Sequence, residues 1–152
     1  MVTGLQGNLH SRDRRNGIDQ ALNKAGIKLD PLLIQEGDFT LRSGISAGET
    51  FASMQKRPTA IICMSDQMAI GVIQALVSHG IRVPEDISVT GFDDIPYAHC
   101  NNPTLTTLSQ PAATIGSTAM DLLLRVINGE DLGHSEIILP TELIIRQSTR
   151  PI

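Results

Sequence analysis

The sequence predicts an α/β protein built on a parallel, doubly wound sheet. Short apolar runs alternate with longer segments of helical periodicity. The links between them are brief and marked by glycine, proline and aspartate. One run, Ala60-Ile61-Ile62-Cys63-Met64, is continuously apolar, the pattern of a strand buried on both faces.

The elements follow in order. Val2-Thr3-Gly4 reads as the tail of a strand that begins upstream, so the chain is expected to be a fragment with Met1 as an artificial start. Over 11–25, Ile18, Ala21, Leu22 and Ala25 recur at helical spacing, and Gly26 stops the helix. Leu32-Leu33-Ile34 reads as a short strand ending near Gly37. Thr40 is placed to cap a second helix running to about Gln55, with Ile45, Phe51 and Ala52 on its apolar side. Pro58 resets the chain before the Ala60 run. Ser65 or Asp66 then caps a helix carrying Met68, Ala69, Val72, Ile73, Leu76 and Val77, ended by Gly80. Ile87-Ser88-Val89-Thr90 is the next strand. Beyond Gly91 a loop rich in Asp, Pro and Asn leads to Leu105-Thr106-Thr107-Leu108. Pro111 opens a helix to about Ile127, striped by Ile115, Ala119, Leu122, Leu123 and Val126 and ended by Asn128-Gly129. Two short strands are expected near 136–139 and 142–146.

Composition narrows the function. Across 152 residues the net charge is −4, where a nucleic-acid-binding domain normally carries a basic face. The basic cluster Arg12, Arg14 and Arg15 encloses Asp13 and reads as a helix start. No apolar run approaches the ~20 residues of a bilayer span. Cys63 and Cys100 are far apart and in no metal or redox spacing, and no signal-peptide pattern opens the chain, which together fit a reduced cytoplasmic protein.

In open α/β sheets, ligands bind outside the carboxyl ends of the strands. That rule selects Asp38 and Phe39 after one strand, Ser65 and Asp66 after the next, and Phe92, Asp93 and Asp94 after the third. Phe39 can stack on a base or on the apolar face of a sugar, or can serve as a core residue. Asp93 can accept hydrogen bonds from ligand hydroxyls, or can form an Asx-turn. Ser65 and Asp66 suit helix caps as well as ligand contacts. Arg14 lies in a helix's first turn, against the macrodipole, which hints at a functional reason for a cation there.

Gly44-Ile45-Ser46-Ala47-Gly48 matches the G-x-S-x-G pattern of a hydrolase elbow, which would make Ser46 a nucleophile. The elbow requires a strand before it and a helix after it; residues 38–43 are not a buried strand, so Ser46 is expected inside a helix. His10, His79, His99 and His134 are scattered without ligand spacing, so no metal site is expected. The acidic pairs Glu85-Asp86, Asp93-Asp94 and Glu130-Asp131 suit solvated turns. No phosphate-binding glycine motif occurs, and no cofactor is implied.

The segments Val83-Pro84-Glu85-Asp86-Ile87-Ser88-Val89-Thr90-Gly91-Phe92-Asp93-Asp94 and Pro103-Thr104-Leu105-Thr106-Thr107-Leu108-Ser109-Gln110-Pro111 resemble the LacI/GalR family of transcriptional regulators. So do Pro58–Cys63, Ser65–Gly71, Gly37-Asp38-Phe39 and Arg14-Arg15-Asn16-Gly17, in family order across nearly the whole chain. The resemblance implies a periplasmic-binding-protein-like type I fold and no enzyme. It implies a C-terminal subdomain over 5–109 and 135–152, and a crossover helix within 110–134 that would pack on a missing N-terminal subdomain. It further implies that Arg14, Phe39, Asp93 and Gln110 contact a sugar or nucleoside effector. Ser65 stands where some relatives place an amide, and Asn8 and His10 fall in the loop that tunes specificity. Ile70, Gln74 and Val77 would face a dimer partner. Operator DNA would be bound only through an absent N-terminal head. A sugar-binding periplasmic protein of the same fold is the alternative, and the regulator-like 83–94 segment and the free cysteines argue against it.

Overall fold

The computed structural model describes residues 1–133 and 136–151. Strand β1 (Val2–Thr3) leads into α1 (Leu9–Lys24), which begins two residues earlier than the sequence reading of 11–25. The reason is its cap: Asn8 Oδ1 accepts from the Ser11 N–H at 3.2 Å. Gly26, at φ +68°, ends the helix in the left-handed conformation that glycine adopts without steric cost.

The strand expected at Leu32–Ile34 is instead a 3-10 turn, Pro31–Leu33. Asp30 caps it through Oδ1 to the Leu32 N–H at 2.9 Å, and Pro31 supplies the helical φ. The strand comes later, as β2 (Gln35–Glu36). Thr40 caps α2 (Leu41–Ser53) as expected, its hydroxyl accepting from the Ser43 N–H at 3.2 Å. Then follow β3 (Ala60–Ile62), α3 (Asp66–Ser78) capped by Ser65, and β4 (Ser88–Thr90). A four-residue helix α4 (Tyr97–Cys100), too short to show periodicity, lies in the loop before β5 (Thr107–Ser109). Helix α5 (Ala112–Ile127) and β6 (Glu142–Ile144) complete the order. The further strand expected near 136–139 is not formed.

β1 pairs parallel with β2, β3 with β4 in parallel, and β5 with β6 antiparallel. Parallel bridges Val2–Cys63 and Thr90–Thr106 join these ribbons in the order β2-β1-β3-β4-β5-β6. The chain runs outward from β1 to β2 on one side and to β3 on the other. That reversal is a topological switch point, and a crevice opens at the carboxyl ends of β1 and β3.

The core sits on one face. Phe51 and Ala52 of α2 and Met68, Val72 and Leu76 of α3 bury against Val2, Ile61, Cys63 and Val89 of the sheet. The two helices approach closely because glycines form the notch. A Cβ added at Gly44 would lie 2.2 Å from the Met68 carbonyl oxygen, and one at Gly71 2.3 Å from that of Leu41. Burial of Cys63 pushes its thiol up to about 12, which leaves it an unreactive apolar core residue.

The opposite face is barer, so the expectation that the Ala60 run is buried on both sides fails. Ile61 is buried but Ala60 and Ile62 are exposed. Helix α1 lies on this side, bordering an apolar cleft of about 510 Å³ lined by Ile18, Leu22, Ile62, Leu108 and Leu143. Helix α5 has no buried residue; a shallow groove lies between its Ile115 and Leu122 and the segment bearing Ile137 and Leu139.

Candidate functional site

The crevice at the switch point is a polar cleft of about 350 Å³, lined by Asn8, His10, Arg14, Phe39, Ser65, Gln67, Asp93 and Ile95. Six residues singled out in the sequence lie in this one wall, and the seventh, Gln110, reaches it through a hydrogen bond to Asp93. They arrive from four elements. Asn8 and His10 come from the start of α1, with Arg14 one turn further on. Phe39 follows β2, Ser65 caps α3, and Asp93 follows β4.

Arg14 is the hub. Its guanidinium donates to the Met64 carbonyl and, at 3.2 Å, to Asp93 Oδ1, and lies 3.7 Å from the centroid of the Phe92 ring. Because α1 starts at Leu9, Arg14 lies in its second turn rather than its first, and the cation is accounted for by its contacts: a carboxylate, a carbonyl and an aromatic face hold it at once. Asp93 Oδ1 also accepts from Gln110 Nε2 at 2.6 Å. Burial pushes the Asp93 carboxyl above its ordinary value against the opposing pull of Arg14. The arrangement is a half-buried carboxylate and guanidinium, side chains 31% and 18% exposed, presenting an acceptor and donors to the cleft.

Phe39 stands at φ +68°, uncommon for a bulky residue. Asp38 supports it, accepting from both the N–H and the hydroxyl of Thr40 at 3.0 and 2.6 Å, contacts that hold its own carboxyl down at about 2. The ring lies over Gly4: a Cβ there would come 2.1 Å from its Cζ. Phe39 thus serves both readings, half-buried against the core and lining the cleft. Ser65 likewise caps α3 through its Oγ to the Met68 N–H and borders the cleft. Asp66 is structural: it is fully buried and accepts from the Thr107 hydroxyl and the Ile95 N–H, tying α3 to β5 and the loop after β4.

Other residues escaped the sequence. Gln67 and Ile95 line the cleft. Ser11 is buried beside Phe39 and Gly4 with its hydroxyl unpartnered. Asp94 pairs with Arg146 at 2.7 Å, and no local pattern announces a pair so distant in sequence.

Ser46 lies mid-helix on the exposed side of α2, while Gly44 and Gly48 face α3, so the G-x-S-x-G match reflects helix packing. Among the described residues no three His, Cys, Asp or Glu side chains could hold a metal ion; His134 lies outside them. No helix among them is long and apolar enough to cross a membrane. On α3, Gln74 and Val77 are exposed and Ile70 half-buried, forming one strip beside a groove of about 320 Å³ lined by Leu41, Ile70, Ile95, Tyr97 and Cys100.

Residues 1–149 match the family described as periplasmic binding protein-like domain. The chain is 42% identical to the HTH-type transcriptional repressor CytR of Escherichia coli K12 over 139 residues, 91% of this chain and 41% of that protein. It thus spans about two-fifths of the length of that relative. It superposes on the transcriptional regulator CelR in its cellobiose complex with a TM-score of 0.91 at 33% identity, covering 97% of this chain and 45% of that one. The Lac repressor dimer bound to operator and the anti-inducer ONPF gives a TM-score of 0.89 at 32% identity, covering 97% and 51%. With the strand order, the switch-point cleft and these matches, the chain belongs to the periplasmic binding protein-like domain family, in the form carried by LacI-type transcriptional regulators.

Proposed function

We propose that this chain is the ligand-sensing and dimerising part of a LacI-type transcriptional repressor, taking a small sugar or nucleoside as effector. The observation that carries the reading is the convergence of Arg14, Asp93 and Gln110 beside Phe39 at the switch point. A carboxylate and a guanidinium side by side offer acceptors and donors to hydroxyls, and an aromatic ring offers a face to a sugar or base. Asn8, His10 and Ser65 on the rim would tune which ring is accepted. CelR's cellobiose complex supports a sugar.

In this reading residues 5–109 and 135–152 form one wall of the effector cleft. Helix α5 within 110–134 is the crossover toward a second subdomain, which gives its unburied stripe a partner. Effector closes the two subdomains on each other and changes the spacing of DNA-binding heads across a dimer joined through Ile70, Gln74 and Val77. Such coupling is typically about 1–3 kcal/mol. DNA contact belongs to a separate head, in keeping with the net charge of −4. The setting is the cytoplasm, and the role is regulatory rather than enzymatic.

Saturation-transfer NMR with sugars, nucleosides and purines, run on this chain and on Asp93→Asn, tests the reading. Asparagine tolerates the positive φ at 93 while removing the charge. The expected result is a hit that weakens about 10- to 100-fold in the variant, the loss of a charge-assisted hydrogen bond of about 1.5–3 kcal/mol. A hit of undiminished strength in Asp93→Asn overturns the assignment of Asp93. Silence, repeated on a chain extended to both subdomains, overturns the effector class.

A further inference from the structure

Two consecutive non-glycine residues stand at positive φ in the loop after β4: Asp93 at 117° and Asp94 at 57°. Such conformations are uncommon outside glycine and persist where the surroundings over-determine them. The contacts of Asp93 itself, with Arg14 and Gln110, are made at the rim of the cleft. The deeper restraint lies one residue on. Arg146 Nη2 donates to Asp94 Oδ1 at 2.7 Å, and these side chains are only 12% and 17% exposed. The same guanidinium donates through Nη1 to the Leu105 carbonyl at 2.7 Å. Its backbone N–H is held in turn by Thr106 Oγ1 at 2.9 Å. His99 Nε2 closes the solvent side, 3.2 Å from Arg146 Nη2 and 3.5 Å from Asp94.

Arg146 therefore ties three pieces of chain into one joint: the strained turn after β4, the approach to β5, and the segment that follows β6. That last segment is where the chain has returned from α5. Two residues on, Ser148 is fully buried and hydrogen-bonds to Val89 through both its carbonyl and its hydroxyl, so the return is anchored into the sheet beside β4.

We propose that Arg146 is the positioning residue of the cleft: by clamping Asp94 and the Leu105 carbonyl it fixes the left-handed turn that aims Asp93 at Arg14, and so links the ligand carboxylate to the path by which the chain returns from α5. Its functional meaning rests on the reading of Asp93 as an effector contact; the positioning itself is measurable without any ligand. The guanidinium fork makes both bonds at once, which a lysine ammonium in its place does not reproduce.

The test is carbon-detected NMR on the whole chain, isotopically labelled, comparing wild type with Arg146→Met, Arg146→Lys and Asp94→Asn. Two quantities are read: the backbone couplings of residues 93 and 94, which report positive φ, and the titration midpoint of the Asp93 carboxyl. The expected result is that residue 94, and with it residue 93, leaves the left-handed region in Arg146→Met. The Asp93 midpoint should move down toward the ordinary aspartate value as the carboxyl gains water, with Arg146→Lys in between. Asp94→Asn keeps an amide oxygen as acceptor and tolerates positive φ, so it reports the loss of charge alone; Arg146→Lys, which keeps the charge but not the fork, decides the matter if Arg146→Met fails to fold. Unchanged couplings and an unchanged Asp93 midpoint in Arg146→Lys would overturn the proposal, whatever happens to overall stability. Loss of effector signal in Asp93→Asn with no effect at Arg146 would leave the effector reading standing and the positioning role refuted.

Discussion

Asp93 is where the residue-scale physics of this molecule concentrates. Its carboxyl is pushed up by burial and pulled back by Arg14 and Gln110, with burial the larger effect. The sign of the pH dependence follows. A carboxyl whose folded pKa lies above its unfolded one binds its proton more tightly in the native state, so its stabilising contribution is present in acid and fades as pH rises through the folded value. Asp38 and Asp86, held at about 2 by their hydrogen bonds, behave oppositely: their contribution is present above the ordinary aspartate value and is lost as pH falls toward 2. Denaturant unfolding of wild type and Asp93→Asn across the acidic range separates the two effects, since the variant removes only the first. Wild type should lose stability relative to the variant as pH rises through the Asp93 titration. A constant or opposite difference would mean that the Arg14 pair outweighs burial. Effector affinity should run the other way, falling on acidification as the carboxylate is lost.

At the scale of elements, α2 and α3 are held by a glycine notch, and the same glycines made α2 resemble a hydrolase motif. Gly44→Ala places a methyl group 2.2 Å from a backbone carbonyl that has no room to retreat. The expected cost is about 1–3 kcal/mol of overpacking, read by denaturant titration. Ser46→Ala, on the exposed side of the same helix, should stay within about 0.5 kcal/mol. An equal loss in both variants would discredit the notch. These two residues also show why part of the fold was legible in the sequence and part was not. The caps Thr40 and Ser65 act on N–H groups three residues away, so local spacing reveals α2 and α3. Leu32-Leu33-Ile34 looks like a strand because it is apolar and short. Its conformation is decided instead by Asp30 and Pro31, whose cap and fixed φ favour a turn. Ile62 looks buried because its run is apolar, yet burial needs a helix packed over the second face, and there α1 borders a cleft. The cleft was legible to the extent that strand ends are: Phe39, Ser65 and Asp93 all follow strands, and the family resemblance added Arg14 and Gln110. Arg146 was not, because its partner Asp94 lies 52 residues away and no periodicity links them.

At the scale of the whole molecule, two of the apolar surfaces open to solvent lie on helices, and they differ in what can cover them. One is the α5 stripe, with Leu123 51% and Val126 53% exposed, on a helix that has no buried residue. The other is the α3 strip of Ile70, Gln74 and Val77 with the neighbouring groove, on a helix eight of whose thirteen residues are buried. A patch already held in place loses less freedom on association; α3 is anchored by its buried face, whereas α5 has no buried residue. The α3 strip is therefore the expected seat of a dimer. Charged substitutions separate the two surfaces. The double variant Ile70→Glu, Val77→Glu should convert a dimer to a monomer in sedimentation or light-scattering measurements, with the fold intact by circular dichroism. Leu123→Glu, Val126→Glu should leave the dimer in place and only reduce non-specific association at high concentration. A wild-type chain that is monomeric at every concentration would remove the α3 interface from this part of the protein. Dissociation by the α5 variant alone would instead place the interface on α5, each helix finding in the other copy the apolar cover it lacks in its own chain.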